Sequence, residues 1–432
     1  ASGTGNTAAT INNVTGSTRN VVYTVTPTST TGTCAGSAFT ITVPVGSEPL
    51  GINATKTICS DESVSYDLQA NVTAQNGQAS TFTWVAAANG NVSGESTSPQ
   101  SGSAITDVLN NVSGANQIVA YTVTPTGTNG CQGNTFTVNV TVRSEPVGVS
   151  NTTAAVCSDV AFSFNPMSNV TAGNGVASTF AWTAVYAAGI TGGAGAGTGN
   201  VAETLTNVTG ATLNAVYTVV PTATAAGTCA GDPFTITVPV KSEPLGVSAT
   251  ETVVCSDQAF SYNPQTRITN GMSPNTFAWT ASYDAGLTGG AANGTGNITG
   301  TLTNLTGGVL NAVFTVTPSN TAGTCVGNSF TMTVPVRPEP VGVSVTKTMV
   351  CSDVAYSFNP QNDISNGVAS SFSWTAAYGA GITGAASGTG NTAATINNVT
   401  GSTRNVVYTV TPTSTTGTCA GSAFTITVPV GS

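Results

Sequence analysis

The phrase Glu-Pro-(Val/Leu)-Gly-(Val/Ile) recurs at Glu48, Glu145, Glu243 and Glu339, at intervals of 97, 98 and 96 residues. A unit of that size is a domain, not a solenoid repeat of about 20–50 residues. The chain of 432 residues therefore divides into the C-terminal part of one repeat at 1–47 and four whole repeats at 48–144, 145–242, 243–338 and 339–432. Residues 1–47 are identical, letter for letter, to 386–432, which implies a higher-order period of 385 residues, or four domains. The junctions Glu48-Pro49, Glu145-Pro146, Glu243-Pro244 and Glu339-Pro340 leave little slack. Proline restricts its own backbone and that of its predecessor, so stiff linkers and an elongated rod are expected.

Within each repeat the apolar period is two. In the third, Gly246–Val254, Ala259–Pro264, Thr276–Thr280, Thr299–Leu305, Asn311–Thr317 and Ser329–Val336 read as strands. Alternation of Thr with an apolar residue marks half-buried strands, because a β-branched side chain suits the extended backbone on either face. No stretch reads as a helix of ordinary length. About seven short strands per repeat, separated by Gly, Asn and Pro turns, define an all-β class: tandem immunoglobulin-like antiparallel β-sandwiches.

Aromatic residues occupy fixed places in that pattern. Trp84, Trp182, Trp279 and Trp374 each follow a Phe by two residues, Phe82, Phe180, Phe277 and Phe372. Residues of one parity face one side of a strand, so these pairs are expected in the core between the sheets, with a ligand-stacking platform as the alternative. Tyr23, Tyr121, Tyr217, Phe314 and Tyr408 mark the penultimate strand. Since Phe314 stands where the others are Tyr, that position is read as packing rather than hydroxyl chemistry.

Composition closes off several functions. With 8 basic against 17 acidic residues and a net charge of −9, nucleic acid is not an expected partner. The absence of His removes the usual general base and the commonest metal ligand, and no Ser–His–Asp arrangement is present, so neither an enzyme nor a cofactor is expected. The acidic residue of each Cys-Ser-Asp, at Asp61, Asp159, Asp257 and Asp353, reads as a turn former accepting local backbone N–H groups. Calcium at a junction, held by that Asp or the linker Glu, is the alternative, although no Asp-x-Asp-x-Asp run supports it. The glycine tracts 192–199 and 289–296 lack the Lys-Ser/Thr ending of a phosphate loop and read as crossing loops. No apolar run is long enough to span a bilayer, and Ala1–Thr10 has no signal-like pattern. Direct membrane insertion is not expected, and any export signal or anchor is expected outside these residues.

Taken together, Cys-Ser-Asp before the second strand, Phe-x-Trp, Tyr-Thr-Val-Thr-Pro, Gly-Thr-Cys-x-Gly and the closing Phe-Thr-(Ile/Met)-Thr-Val-Pro-Val resemble the PKD-like and related immunoglobulin-like repeats of giant Bacteroidetes surface proteins, including mobile gliding adhesins. The resemblance implies export by a dedicated secretion system, an extracellular location on the bacterial cell surface, and a part in adhesion or gliding. This chain lacks the Trp-Asp-Phe-Gly-Asp-Gly segment of better-known PKD domains, so no polysaccharide contact is carried across. A structural stalk or filament is the preferred function. A multivalent carbohydrate-binding array using Tyr186, Tyr283 or Tyr378, and a surface sheath, are the alternatives. Neighbouring repeats, homo-oligomers, envelope anchoring proteins and surface glycans are the candidate partners.

The nine cysteines form two series: Cys34, Cys131, Cys229, Cys325 and Cys419 in the last hairpin, and Cys59, Cys157, Cys255 and Cys351 after the first strand. In an immunoglobulin-like sandwich these lie at opposite poles, too far apart for a bond within one domain. The expected register joins successive domains, Cys59–Cys229, Cys157–Cys325 and Cys255–Cys419. Cys34, Cys131 and Cys351 then pair with partners outside these residues. The alternative is the intradomain register, Cys59–Cys131 and Cys157–Cys229.

Overall fold

The computed structural model describes residues 2–225, 228–320 and 325–432. Gly227, Gly323 and Thr324 of the Gly-Thr-Cys-x-Gly motif lie outside the described residues. Four complete β-sandwiches and one isolated hairpin follow one another along the chain.

The first sandwich sets the pattern. Its larger sheet runs Ala54–Cys59, Phe136–Arg143, Gln117–Gly127, Ser80–Ala86 and Gln100–Ser101 in spatial order. The facing sheet pairs Glu62–Ser63 with Val108–Asn111 and Val92–Ser93. Neighbours are antiparallel throughout except at one place. The first strand pairs parallel to the last, Ala54 with Val138 through to Cys59 with Arg143. The same parallel pairing recurs as Cys157 with Lys241 and Cys255 with Arg337.

Three strand expectations need correction. The proposed strand Gly246–Val254 is broken into Ala249–Thr250 and Val254–Cys255. Thr299–Leu305 is likewise two strands, Ile298–Thr301 and Thr303–Asn304. Alternation detects the half-buried face but not the bends that carry an edge strand around a twisted sheet. The second strand stops at Tyr262, and Asn263 caps a short 3₁₀ turn over Pro264–Arg267 by accepting the Gln265 N–H. Proline already has the φ of a first helical residue, which explains why the chain turns there.

Each core is built where the parity pattern points. Trp84, Trp182, Trp279 and Trp374 are 6–7% exposed and lie edge-on to Tyr121, Tyr217, Phe314 and Tyr408, with ring centroids 5.1–5.7 Å apart. Phe82, Phe180, Phe277 and Phe372 are buried beside them. The hydroxyl at the penultimate-strand position takes whatever acceptor its repeat supplies. Tyr121 donates to Asp107, Tyr217 to Glu203, and Tyr408 shares a hydrogen bond with Tyr356. That variety is why Phe314 can stand in their place.

A buried polar lock ties the two sheets together in every repeat. Asn111, Asn207, Asn304 and Asn398 each receive their Cys-Ser-Asp serine hydroxyl as acceptor for the backbone N–H, at 2.8–2.9 Å. Their side-chain amides donate to the last strand at Val142, Val240, Val336 and Val430. A buried amide with all its partners specifies one strand register, because any slip leaves those groups unpaired.

Replacing Trp279 with Ala should destabilise its own sandwich by about 3–5 kcal/mol, much of a typical domain's stability of about 5–15 kcal/mol. Domain-resolved hydrogen exchange should show lost protection across Ala259–Arg337 and little change elsewhere. Unchanged protection there would remove Trp279 from the core.

The domain junction as candidate functional site

The parallel pairing of first and last strands brings both their ends to the exit pole of the domain. Cys59 lies beside Arg143, where the chain passes into the next sandwich. The last hairpin of that next sandwich returns to the same pole with Cys229. The structure places disulfides at Cys59–Cys229, Cys157–Cys325 and Cys255–Cys419, with Cα–Cα distances of 5.7, 5.4 and 5.4 Å. All three join consecutive domains. Cys34 and Cys351 are exposed thiols and Cys131 is a half-buried one.

Close backbone approach fixes the linker beside these bonds. A side chain on Gly148 of Glu-Pro-Val-Gly would occupy the ring of Phe234, and one on Gly231 of the hairpin would strike the Pro146 carbonyl. Glycine is required at both for steric reasons.

Asparagines that sequence reasoning did not single out complete the clamp. Asn76, Asn174, Asn270 and Asn366 donate their side-chain amides to the carbonyls of Glu48, Glu145, Glu243 and Glu339 at 2.7–2.8 Å. The same side chains accept from the backbone of Leu50, Val147, Leu245 and Val341. Several reach back into the preceding domain, as Asn76 does to Val14 and Asn366 to Thr306. Their signal was available as an Asn-Gly pair recurring once per repeat, but such a pair reads first as a turn.

The linker glutamates have a second role. Glu145, Glu243 and Glu339 are partly withdrawn from water and hydrogen-bond to Asp61, Asp159 and Asp257 of the preceding domain. Burial, and then the facing carboxylate, pushes each Glu up to about 7. Glu145 also feels Asp232 and Glu62.

The aspartates do sit in a turn, with φ of 57–59° in the left-handed region. Their carboxylates, however, do not accept local backbone N–H groups as expected. Asp61 accepts from Asn110, Asp159 from Thr206 and Asp257 from Thr303, all across the sandwich. Side-chain donors on the facing strand, the Asn110 amide and the Thr206 and Thr303 hydroxyls, take the place of the backbone N–H groups. Among the described residues no group of three or more metal-ligating side chains forms.

The glycine tracts are crossing loops that fold onto aromatic rings. Tyr186 donates to Glu203 and accepts from the Gly195 N–H, while Tyr283 and Tyr378 donate to the carbonyls of Ala291 and Ala385. Each tyrosine hydroxyl is bonded to its own loop, and that of Tyr186 also to Glu203 on the following strand. Among the described residues no helix is long and apolar enough to cross a membrane.

The sequence matches a known family. The model of the PKD-like domain matches residues 1–49, 56–146, 154–244, 252–340 and 348–432, and the chain belongs to that family. Among solved structures it is similar to a Drosophila N-cadherin fragment (10% identity, 89% of this chain and 100% of that one, TM-score 0.20). A titin I-band fragment gives 13% identity over 65% of this chain and 95% of its own, with TM-score 0.24. A Bacteroides ovatus protein of the mixed-linkage glucan utilization locus, solved with a heptasaccharide, gives 14%, 82%, 89% and 0.15 for the same measures. With TM-scores this low, the fold is defined by the strand pairing itself. No curated protein matches the chain.

Two outcomes follow for the junction. A carboxyl whose folded pKa lies above its unfolded value binds its proton more tightly when folded, so its stabilisation is full below about 4.5 and lost as pH rises through about 7. Thermal unfolding should therefore occur at higher temperature at pH 5.5 than at pH 8, and the triple variant Glu145→Gln, Glu243→Gln, Glu339→Gln should lose most of that difference. Separately, Asn174→Ala leaves the Glu145 carbonyl and Val147 N–H without their partner, at a cost of about 1–3 kcal/mol. Faster hydrogen exchange at Val147 would register it.

Proposed function

We propose that this chain is a load-bearing stalk segment of a secreted bacterial surface protein, with adhesion or gliding as its setting. The observation that carries this reading is the overlap of the three staples. Cys59–Cys229, Cys157–Cys325 and Cys255–Cys419 enclose 170, 168 and 164 residues, and each begins before the previous one ends.

Tension applied along such a chain takes the shortest covalent route. Between Cys59 and Cys419 that route crosses two disulfides and only the 27 residues from Cys229 to Cys255. Those residues include the strands Phe234–Lys241, Ala249–Thr250 and Val254–Cys255, whose backbone is already extended. The other route runs through Cys157–Cys325 along the strands of the flanking repeats. Load therefore passes along strands that have almost no slack, and the loops and remaining strands of each sandwich lie outside the path. A domain need not resist unfolding by its own stability when the force bypasses it.

Three structural disulfides favour an oxidising, extracellular compartment, and membership of the PKD-like family agrees with a non-catalytic module array. The resemblance to gliding-adhesin repeats supports the bacterial cell surface as the location. A carbohydrate-binding array is less favoured, because the hydroxyls of Tyr186, Tyr283 and Tyr378 are already bonded within their own sandwiches, to Glu203 and the Gly195 N–H and to the carbonyls of Ala291 and Ala385.

Pulling single chains by their two ends separates the readings. At roughly 3.6 Å per residue, the reduced chain should extend to roughly 1,500 Å and the oxidised chain to only about 350 Å. Equal extension in both states would contradict the load-bearing role.

A further inference from the structure

The strand register sets a cation beside each cysteine that bonds forward. Cys59 pairs with Arg143, Cys157 with Lys241 and Cys255 with Arg337 in the parallel ladder of first and last strands. Ile58 and Val142, one residue earlier, are buried, so Cys59 and Arg143 share the outward face of the sheet at the exit pole. Side chains in register on neighbouring strands stand only about 5 Å apart.

The third junction shows where the charge goes. A Cβ placed on Gly417 would lie 2.0 Å from a guanidinium nitrogen of Arg337. The cation of one sandwich therefore rests on the hairpin of the next, two residues from Cys419. The Gly417 carbonyl is 3.9 Å from Cys255 Sγ and 3.8 Å from Cys419 Sγ, which puts the guanidinium at the disulfide. Glycine leaves room for it. The sequence couples the two features: Arg143, Lys241 and Arg337 are each followed one repeat later by Gly-Thr-Cys, ending at Cys229, Cys325 and Cys419, whereas Gly46 is followed by Asn129-Gly130-Cys131.

A cation beside a thiol favours the thiolate, the form that attacks disulfides. We infer that Arg143, Lys241 and Arg337 promote closure of the interdomain disulfides by holding Cys59, Cys157 and Cys255 as thiolates in the reduced, folded chain. The Cys255 thiolate attacks a small-molecule disulfide, forming a mixed disulfide and releasing one thiol. The Cys419 thiolate then attacks the Cys255 sulfur and releases the second thiol. Two cysteines are oxidised, and one small-molecule disulfide is reduced to two thiols. Because the activated cysteine waits at the exit pole, the hairpin it meets is that of the following domain. Carboxylates oppose the cation at each junction: Asp61, Glu62, Glu145 and Asp232 at the first, Asp159 and Glu243 at the second, Asp257 and Glu339 at the third. The third junction, with one carboxyl pair and a placed guanidinium, gives the clearest test.

The full-length chain is reduced under native conditions and re-oxidised with hydroxyethyl disulfide, a neutral reagent that the cation does not attract. Acid-quenched peptide maps follow the Cys255–Cys419 and Cys157–Cys325 links in one molecule, so each is the reference for the other. At pH 6, Arg337→Gln should slow Cys255–Cys419 roughly threefold for every tenfold loss of thiolate, since a more basic thiolate is the better nucleophile. Cys157–Cys325 should keep its rate. At pH 10, where the thiols are ionised with or without the cation, the deficit should vanish or reverse. Arg337→Lys should restore the rate at pH 6. Lys241→Gln should slow Cys157–Cys325 and spare Cys255–Cys419, which reads the same effect through an independent sandwich. Unchanged rates at pH 6 in both Gln variants would overturn the inference. So would a slowing that is equal at pH 6 and pH 10 and is not restored by Lys.

Discussion

Parallel pairing between the first and last strands of each sandwich is the constraint from which the junction follows. In an antiparallel arrangement the first strand would end at the pole where its domain is entered, beside its own last hairpin, and a bond within the domain would be the natural outcome. Parallel pairing puts Cys59 beside Arg143, at the pole where the chain leaves. The nearest hairpin cysteine is then that of the following domain. The pairing is available because the two strands are not consecutive in the chain; the rest of the sandwich serves as the crossover that parallel neighbours require.

Once the exit pole carries the cysteine, the other features of the repeat fall into a common arrangement. The Ser of Cys-Ser-Asp holds the buried Asn that closes the sandwich, and the Asp faces outward to the linker Glu of the next domain. Glycine appears where the linker meets Phe234 and where the hairpin meets Pro146, and Asn174 fixes the peptide between them. A short motif thus serves two domains at once, its first residue bonding forward, its second inward and its third forward again. Three carboxyl pairs shared across junctions make the connection respond to pH, while the sulfur bonds keep it continuous in either state.

Much of this was legible in the sequence because it is periodic. A spacing near 97 residues, alternating Thr and apolar residues, and a Trp two places after a Phe are enough to specify sandwiches with Trp279 and its counterparts inside. The interdomain cysteine partners could be reasoned from the poles of such a fold. What stayed hidden depends on three-dimensional proximity. Nothing local in Asn174-Gly175 tells a linker clamp from a tight turn, and nothing in Asp159 tells whether its carboxylate meets its own backbone or Thr206. The breaks in the edge strands also escape, since Ala249–Thr250 and Val254–Cys255 share the alternation of the continuous strand Ala54–Cys59.

The pairing of one cysteine decides between a string of separately closed domains and a covalently continuous rod. Proteolysis of the oxidised chain under non-reducing conditions, followed by mass analysis of the linked peptides, reads it directly. Pairing across the junction predicts a peptide joining Cys157 to Cys325, a separation of 168 residues. A peptide joining Cys157 to Cys229, both within 145–242, would contradict it.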